Sequence, residues 1–254
     1  MTKPMSNAFA TAGAFVPPPL SQGEAHVWHT DLVNLGAVDH NWAHLLSTEE
    51  QQRASRFRFS RDRERFAAAR AWLRVLLGSY LNVAPGTLDF SYTEHGKPSL
   101  NGLHAPEDLH FNISHSDQVV LSGVTLGHAI GVDVERVRYD FEVVSIARRF
   151  FSAAEQKAFS ALPSTQHHHA FFDCWTRKEA YVKAVGEGLS HPLHQFDVSL
   201  SPGTSTGLLS TRPDPDEVKH WTLAAVEIDP GYSAAVAVRA AGITIHCREF
   251  PQLA

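Results

Sequence analysis

The spacing of apolar residues predicts a long helix in each half of this chain. Between about residues 61 and 80, large apolar side chains recur at intervals that place them on one face of a helix. These side chains are Phe66, Leu73, Leu77 and Tyr80. A second long helix is predicted from about residue 166 to 185, where Gly186 and Gly188 would stop it.

Shorter helices are predicted from their first residues. Ser47 with Glu50, and Ser152 with Glu155, form the Ser-x-x-Glu pattern of a capping box. In that pattern the serine side chain caps the first turn and the glutamate bonds back to the backbone of the serine. A further short helix is expected from Val143 to Phe150.

Runs of β-branched and aromatic residues predict strands in the rest of the chain. The expected strands lie around residues 88–92, 109–113, 119–125, 128–134, 196–200, 221–227, 234–240 and 243–248. The segment 201–217 is rich in Pro, Gly, Ser, Thr and Asp, and it predicts a surface loop. Because helices and strands occur in both halves, the predicted fold class is α+β.

The predicted organisation has three parts. Residues 1–25, which include Pro17, Pro18 and Pro19, predict a flexible lead-in. Residues 26–128 and 129–254 are expected to form an N-terminal and a C-terminal subdomain, with a junction near Gly127–Gly131. We find no repeat at the level of the sequence.

Composition narrows the class of protein. Of the 254 residues, 43% are hydrophobic and 19% are charged, which is ordinary for a soluble globular protein. The sequence shows neither a run of about 18 apolar residues nor a secretory leader, so we expect no membrane association. Cys174 and Cys247 lie far apart without metal-ligand spacing, which indicates a reduced, cytoplasmic protein.

Charge and histidine content add two expectations. The net charge of −5 argues against nucleic-acid binding. The row His167-His168-His169 is expected to be exposed polar surface on a helix rather than a metal site, because a metal site needs partners at defined spacing.

Two carboxylates alternate on a predicted strand. Asp133 and Glu135 are separated by one residue and therefore share a face, while Val132 and Val134 point to the core. Side-by-side carboxylates repel each other unless a cation or a proton lies between them. The alternative is a half-buried strand with a solvated polar face.

The second long helix carries the next candidate residues. Trp175, Glu179 and Lys183 are four residues apart and lie along one side of it. The alternative is an ordinary surface ion pair between Glu179 and Lys183. The Gly186-x-Gly188 break that follows permits close approach of a ligand or of another backbone.

Two further features favour an anionic ligand. Ser114 and His115 are adjacent on an extended segment and face opposite sides, so hydrogen bonding to an anion is more plausible than a nucleophile–base pair. The alternative is a turn or capping role for Asn112 and Ser114.

Arginines, whose planar guanidinium suits phosphate, are dense over residues 53–74. They are Arg53, Arg56, Arg58, Arg61, Arg63, Arg65, Arg70 and Arg74, and an exposed helix with interleaved acids would account for about half of them.

Four motifs in series resemble those of a known family. They are Gly96-Lys97-Pro98, Phe111-Asn112-Ile113-Ser114-His115-Ser116, Gly131-Val132-Asp133-Val134-Glu135, and Trp175-x-x-Lys178-Glu179-Ala180-x-x-Lys183 with Gly186-x-Gly188-Leu189. In this order and at these separations the chain resembles the 4′-phosphopantetheinyl transferase superfamily, the larger type that activates peptide and polyketide synthetases. The resemblance covers about residues 47–189.

This resemblance implies two similar α/β halves related by a pseudo-twofold axis, with coenzyme A in the cleft between them. It implies transfer of the 4′-phosphopantetheine group from coenzyme A to a serine of an apo acyl or peptidyl carrier protein, with release of 3′,5′-ADP, by a monomer. It assigns Mg²⁺ to Asp133, Glu135 and Glu179. It assigns coenzyme A to Arg53, Lys97, Ser114, His115 and Lys183.

The chemistry of these residues is compatible with that assignment. Magnesium prefers oxygen ligands and is commonly bound by one or two carboxylates together with substrate phosphates. We expect Glu179 to take the proton of the carrier serine, directly or through a metal-bound water, and Lys183 to stabilise the leaving phosphate. Glu50 is a departure, because some relatives carry a phosphate-binding lysine there.

Other interpretations stay open from the sequence. A contact of Phe150-Phe151 and Phe171-Phe172 with the carrier is implied by the resemblance, but a core position is favoured because adjacent aromatic residues on a helix point partly inward. A catalytically silent coenzyme A or carrier-binding module of the same fold, and a metal-dependent phosphohydrolase, are the alternatives to a transferase.

Overall fold

A computed structural model describes residues 15–32, 44–94, 96–102, 106, 108–140, 142–188, 191–200 and 206–251. Its helices are α1 (Thr48–Ser55), α2 (Ser60–Leu81), α3 (Val143–Phe150), α4 (Ala153–Ser160) and α5 (His167–Val185). Short 3₁₀ helices span Pro85–Thr87, Ser164–Gln166, Leu193–Gln195 and Pro215–His220. The strands are β1 (Glu24–Asp31), β2 (Asp89–Tyr92), β3 (Pro98–Asn101), β4 (Leu109–Ser116), β5 (Val119–Leu126), β6 (Ile130–Arg136), β7 (Phe196–Val198), β8 (Leu208–Thr211), β9 (Thr222–Ala225), β10 (Tyr232–Val238) and β11 (Thr244–Glu249).

Two sheets form the centre of the molecule. The first has the strand order β11-β1-β5-β4, and the second has the order β6-β10-β9. Two hairpins, β2-β3 and β7-β8, complete the strands. All pairs are antiparallel except β1 with β11. The predicted α+β class is confirmed, and the pseudo-twofold relation between halves stays a prediction.

Alternation along the strands divides the core into three layers. One face of the first sheet packs on α2, where Trp72, Leu73 and Leu77 are buried against it. The opposite face packs against the second sheet, and the remaining face of the second sheet packs on α5. This follows from the two-residue period of strands, which sends neighbouring apolar side chains to different layers. Each long helix therefore covers its own sheet.

The two ends of the chain meet in the first sheet. β11 runs parallel to β1, with Glu24 opposite Thr244 and His29 opposite Glu249. Phe250, which follows β11, lies among the aromatic rings of the first core, and the Phe15 ring lies 4.5 Å from it. Phe15 belongs to the predicted lead-in and packs on this core, whereas Val16 is exposed, and residues 1–14 lie outside the described ranges. The boundary near residue 128 stays a prediction, and the closing strand joins the sheet of the first half.

Several elements differ from those predicted. The segment 201–217 was expected to be a loop, but it contains β8 and the start of a 3₁₀ helix, while residues 201–205 lie outside the described ranges. β1 and β3 were not predicted as strands. Short strands of this kind depend on a pairing partner more than on their own composition, since β propensity reflects mainly the cross-strand environment.

Several aromatic residues of the second half lie in its core, and part of the histidine row packs beside them. Phe151, Phe171 and Phe172 are buried, which confirms the core interpretation for these three, whereas Phe150 is half-buried against the same core. The expectation of an exposed histidine row is wrong for His167 and His168, which are half-buried, and holds for His169; His167 stacks on Phe159 with ring centroids 4.6 Å apart. The reason is the short link before α5, which folds the helix start onto α4. In the ranges described, no helix combines the length and the apolar character needed to cross a membrane.

The backbone of α5 lies directly on β6. A Cβ atom added to Gly131 would lie 2.1 Å from the carbonyl oxygen of Ala180 and 2.4 Å from the amide nitrogen of Ala184. Real Cβ atoms do not approach backbone atoms so closely, so only glycine permits this helix–strand distance. Gly131 therefore sets how near the helix comes to the strand.

Gly131→Ala should destabilise the protein by about 3 kcal/mol, the upper part of the range for overpacked cores, because backbone rather than flexible side chains must move. Thermal unfolding would show this as a fall in Tm of roughly 2–4 °C per kcal/mol. Gly86→Ala is the control, since Gly86 is exposed and none of the described atoms lies within 4 Å of the added Cβ. Equal Tm values for the two variants would contradict the close-approach argument.

Candidate functional site

The edges of the two sheets meet at β4 and β6, where side chains rather than backbone groups bridge the strands. Asn112 accepts a hydrogen bond through Oδ1 from the backbone of β6 at 2.9 Å. Ser114 Oγ donates to Asp133 Oδ1 at 2.9 Å, and Ser116 Oγ donates to Glu135 Oε2 at 2.7 Å. The two carboxylates therefore share a face of β6, as their alternation predicted, and the serines hold them at the junction of the sheets.

Helix α5 brings a lysine and a third carboxylate to the same junction. Lys183 Nζ lies 2.6 Å from Asp133 Oδ1 and donates to Ser114 Oγ at 2.9 Å. The alternative of an isolated Glu179–Lys183 surface pair is wrong, because the lysine reaches across to β6 instead. Asp133 Oδ2 and Glu179 Oε1 are buried and have no hydrogen-bond partner among the described residues.

The carboxylates of Asp133, Glu135 and Glu179 repel one another at this poorly hydrated junction of the two sheets. Burial, followed by repulsion from Asp133, raises the pKa of Glu179 to about 7, although the Lys183 charge opposes this shift. The pKa of Glu135 is also raised by burial and by Asp133, against the hydrogen bond from Ser116. An additional positive charge or a proton would relieve this repulsion.

The carboxylate oxygens of this cluster are the type of ligand that suits a hard cation. Two buried carboxylate oxygens without partners are the kind of ligand that magnesium prefers. In the described part of the chain, however, no three His, Cys, Asp or Glu side chains are arranged to hold a metal ion as they stand. The assignment of a metal to Asp133, Glu135 and Glu179 accordingly stays a prediction.

A cleft of about 370 Å³ opens beside this acidic cluster. Cationic and imidazole side chains line it, and they are Arg53, Arg70, Lys97, His115 and Lys183. Gly96, Gly186 and Gly188 also line the wall and leave room for close approach of a ligand. Of the predicted coenzyme A contacts, only Ser114 is not among these lining residues, and its hydroxyl bonds to Asp133 and Lys183 instead.

Lys97 joins the first half of the molecule to the second. Its Nζ donates to the carbonyl oxygen of Lys183 at 2.5 Å and to that of Ile130 at 3.3 Å. Burial and the neighbouring Lys183 charge lower the pKa of Lys97 to about 8. Lys97 therefore holds the start of β3 against α5 and β6 and places a cation in the wall of the cleft.

The surroundings of His115 lower its pKa and so favour the neutral imidazole. Part of its ring is exposed in the cleft, but the wall restricts its hydration, and the charges of Lys183, Arg70 and Arg65 oppose a further proton; these causes lower its pKa from 6.5. A neutral imidazole can donate one hydrogen bond and accept another. His115 faces the cleft and Ser114 faces the acidic cluster, as expected for neighbours on a strand.

Arg70 is the deepest arginine of the cleft. Its guanidinium lies 5.5 Å from the ring centroid of Phe66 and 5.4 Å from that of Tyr92. The residue is 8% exposed, burial lowers its pKa, and its Nη1 has no hydrogen-bond partner in the described ranges. From the sequence, Arg70 was recognised only as one member of the arginine-rich region and was given no role of its own. Its position between Ala69 and Ala71, on a buried part of α2, was the signal that could have distinguished it.

Three other arginines of that region differ from Arg70 in their surroundings. Arg53 is exposed at the rim, with its guanidinium 5.6 Å from the Phe66 ring centroid. Arg65 pairs with Asp117 at 2.5 Å. Arg74 is buried and pairs with Glu50 at 2.8 Å. Glu50, the departure noted in the sequence, is only 1% exposed and serves the capping box of α1, so it cannot repel a ligand in the cleft directly.

Similarity to known proteins covers both halves of the chain. The family profile described as 4′-phosphopantetheinyl transferase superfamily matches residues 129–237, and a profile described as 4′-phosphopantetheinyl transferase, N-terminal, matches residues 37–125. The 4′-phosphopantetheinyl transferase HetI of a Nostoc species is 38% identical over 223 residues, which are 88% of this chain and 91% of that protein. This chain belongs to the 4′-phosphopantetheinyl transferase superfamily.

The resemblance inferred from the motifs is thereby confirmed, and with it the enzyme class. The 4′-phosphopantetheinyl transferase Sfp of Bacillus subtilis is 31% identical over 192 residues, 76% of this chain and 81% of that protein, which places the chain in the larger type. A solved holo-[acyl-carrier-protein] synthase of Thermotoga maritima overlaps 44% of this chain and 62% of its own, at 22% identity and a TM-score of 0.35. That overlap adds nothing to the family assignment.

Glu179→Gln should stabilise the metal-free protein at about pH 8, because it removes a buried negative charge. A carboxylate whose folded-state pKa rises from 4.5 to about 7 stabilises the fold below 4.5, and this contribution is lost as the pH rises through 7. The Tm difference from wild type should therefore be positive at about pH 8 and vanish near pH 4. Thermal unfolding in a chelator measures it, with exposed Glu64→Gln as control. A variant that melts below wild type at about pH 8 contradicts the interpretation.

Proposed function

We propose that this protein transfers the 4′-phosphopantetheine group from coenzyme A to a serine of an apo carrier protein and releases 3′,5′-ADP in a Mg²⁺-dependent reaction. The observation that carries the proposal is the position of Lys183. Its side chain bonds to Asp133 in the acidic cluster and also lines the basic cleft. Coenzyme A has a diphosphate and a separate 3′-phosphate, which suit such a cation-lined cleft beside a cluster that requires a counter-cation.

The acidic cluster would hold the magnesium ion. Asp133, Glu135 and Glu179 supply carboxylate oxygens, two of which are buried and available. A bound Mg²⁺ supplies neutralisation of the negative charge on the diphosphate. Asp133 already pairs with Lys183, so the lysine lies beside the carboxylates that would hold the ion.

Proton transfer and departure of the leaving group are assigned to two residues of α5. The carrier serine hydroxyl attacks the phosphorus of phosphopantetheine, its proton passes to Glu179, and the P–O bond to 3′,5′-ADP breaks with the electron pair on the leaving oxygen. Without the ion, burial and Asp133 raise the pKa of Glu179 to about 7, and a bound Mg²⁺ would lower it and favour the ionised carboxylate that accepts the proton. The Lys183 ammonium stabilises the phosphate that leaves.

The deep cations of the cleft are assigned to the nucleotide. Arg70 has a buried Nη1 without a hydrogen-bond partner among the described residues and lies beside two aromatic rings in the cleft wall. We assign it to the 3′-phosphate, which the carboxylate of Glu50 would not bind. Arg53, Lys97 and His115 add charge and hydrogen bonds around it. The protein is proposed to act as a monomer in the cytoplasm, and its cysteines, Cys174 and Cys247, are both free.

A transfer assay separates the proposed function from its alternatives. The protein is incubated with coenzyme A, Mg²⁺ and several apo carrier proteins, and mass spectrometry follows the carrier and the nucleotide. Phosphopantetheine on the carrier with release of 3′,5′-ADP is expected, and Glu179→Gln should slow it by roughly 10²–10⁴-fold. Cleavage of coenzyme A without a carrier would indicate a phosphohydrolase, and binding without transfer a silent module. Near-wild-type turnover of Glu179→Gln would reject Glu179 as the base.

Arg70→Met should raise the KM for coenzyme A by about 10–100-fold, the usual value of a charge-assisted hydrogen bond, while kcat stays near wild type. With 3′-dephospho-coenzyme A the variant and the wild type should differ little, because the bonded phosphate is absent. Arg63→Met, at an exposed position on the same helix, is the matched control and should change neither constant. An equal loss with both nucleotides would place Arg70 elsewhere on the ligand.

A further inference from the structure

A buried lysine next to Glu179 contacts no part of the cleft. Lys178 is fully buried, and its Nζ lies 2.8 Å from Glu155 Oε1. It also donates to the carbonyl oxygens of Leu193 and Phe196, each at 2.7 Å. An ammonium has three N–H groups, and these three acceptors use all of them.

The partner carboxylate is equally committed. Glu155 Oε2 accepts from the backbone of Ser152 at 2.8 Å, as part of the capping box of α4. Its Oε1 accepts from the backbone of Val198 at 2.8 Å, in addition to the Lys178 contact. The Lys178–Glu155 pair therefore connects the start of α4, the middle of α5 and the strand β7.

The first half contains a similar pair. Arg74, on α2, lies 2.8 Å from Glu50, the capping-box glutamate of α1, and donates to the carbonyl oxygens of Pro85 and Leu88 at 3.2 and 2.8 Å. In both halves a short capped helix is thus tied to the long helix and to the segment after it. The pairs differ in their neighbours, because the residue after Lys178 is Glu179 and the residue after Arg74 is a valine.

Stability alone is a weak explanation for the Lys178–Glu155 pair. Removing two charges from water costs free energy, and well-packed apolar residues of similar volume often serve a core equally well. What an apolar pair does not supply is direction, because hydrogen bonds fix the orientation of the groups they join. Three directed bonds from Lys178 restrict rotation of α5 about its axis.

The rotation of α5 about its axis determines the directions in which Glu179 and Lys183 point. Neighbouring residues differ by about 100° around a helix axis, so the direction of Lys178 sets that of Glu179. Lys183 follows slightly more than one turn later and faces Asp133. The backbone contact with Gly131 fixes the distance of α5 from β6. On the opposite side of α5, the hydrogen bond of Lys178 to Leu193 holds the helix in place.

We propose that Lys178 and Glu155 form a positioning pair that orients Glu179 and Lys183 toward the acidic cluster. The inference rests on the proposed transferase function. It predicts that loss of the pair lowers kcat more than it raises the KM for coenzyme A, because Lys183 lies on α5 whereas Arg53, Arg70 and Lys97 of the cleft wall lie outside this helix.

The test compares two double variants of the full chain. Lys178→Met/Glu155→Gln removes the pair, leaves no unpaired buried charge, and keeps a residue suited to the capping box. Arg74→Met/Glu50→Gln makes the same change in the first half and is the matched control. Tm, kcat at saturating coenzyme A and carrier, and the KM for coenzyme A are measured for both.

Both double variants should melt at a lower temperature than the wild type. Only the variant of the second half should lose kcat, by roughly 10–100-fold, the effect expected when catalytic groups are displaced by about 1 Å. Wild-type kcat in that variant, or an equal loss of kcat in both, overturns the proposal.

A single substitution covers the case in which the double variant does not fold. Lys178→Arg keeps a cation opposite Glu155 but changes the directions of its hydrogen bonds, so it should lower kcat more than it raises the KM for coenzyme A, whereas wild-type kcat would refute the positioning role. Failure of the proposed function itself looks different, because the wild-type protein would then transfer nothing to any apo carrier.

Discussion

The close contact between helix α5 and strand β6 is the constraint on which the site depends. Gly131 has no side chain, so the helix backbone at Ala180 and Ala184 rests on the strand. At this distance Lys183 reaches Asp133, and Glu179 enters the electrostatic field of the two strand carboxylates. A helix one side chain farther away would leave the acidic cluster without its lysine. The chemistry of the site thus follows from one packing distance.

Charge is divided within the molecule in a way that suits a phosphate ligand. Acidic groups collect where the two sheets meet, and the raised pKa values of Glu135 and Glu179 show that this concentration is unfavourable for the isolated protein. Cations line the adjoining cleft, and Lys183 belongs to both regions. Such an arrangement stores electrostatic strain that a cation together with a phosphorylated ligand would relieve.

The arginine-rich region illustrates how far local sequence can be taken. Its density correctly indicated a basic surface, yet its members have separate roles. Arg70 lines the cleft, Arg65 pairs with Asp117, and Arg74 is buried with Glu50. All three lie on one helix, and their roles depend on whether a carboxylate or an open cleft lies opposite. That information is absent from the spacing of residues along one helix.

The sequence by itself determined the helices, most strands, the shared face of Asp133 and Glu135, and the family, because these depend on short-range periodicity and on motifs in fixed order. Only the tertiary structure decided that β11 returns to β1, that Lys183 pairs with Asp133 rather than Glu179, and that Arg70 is the deep cation of the cleft. Each is a contact between residues distant in the chain. Such contacts depend on how the elements pack, and packing is a property of the whole fold rather than of any segment.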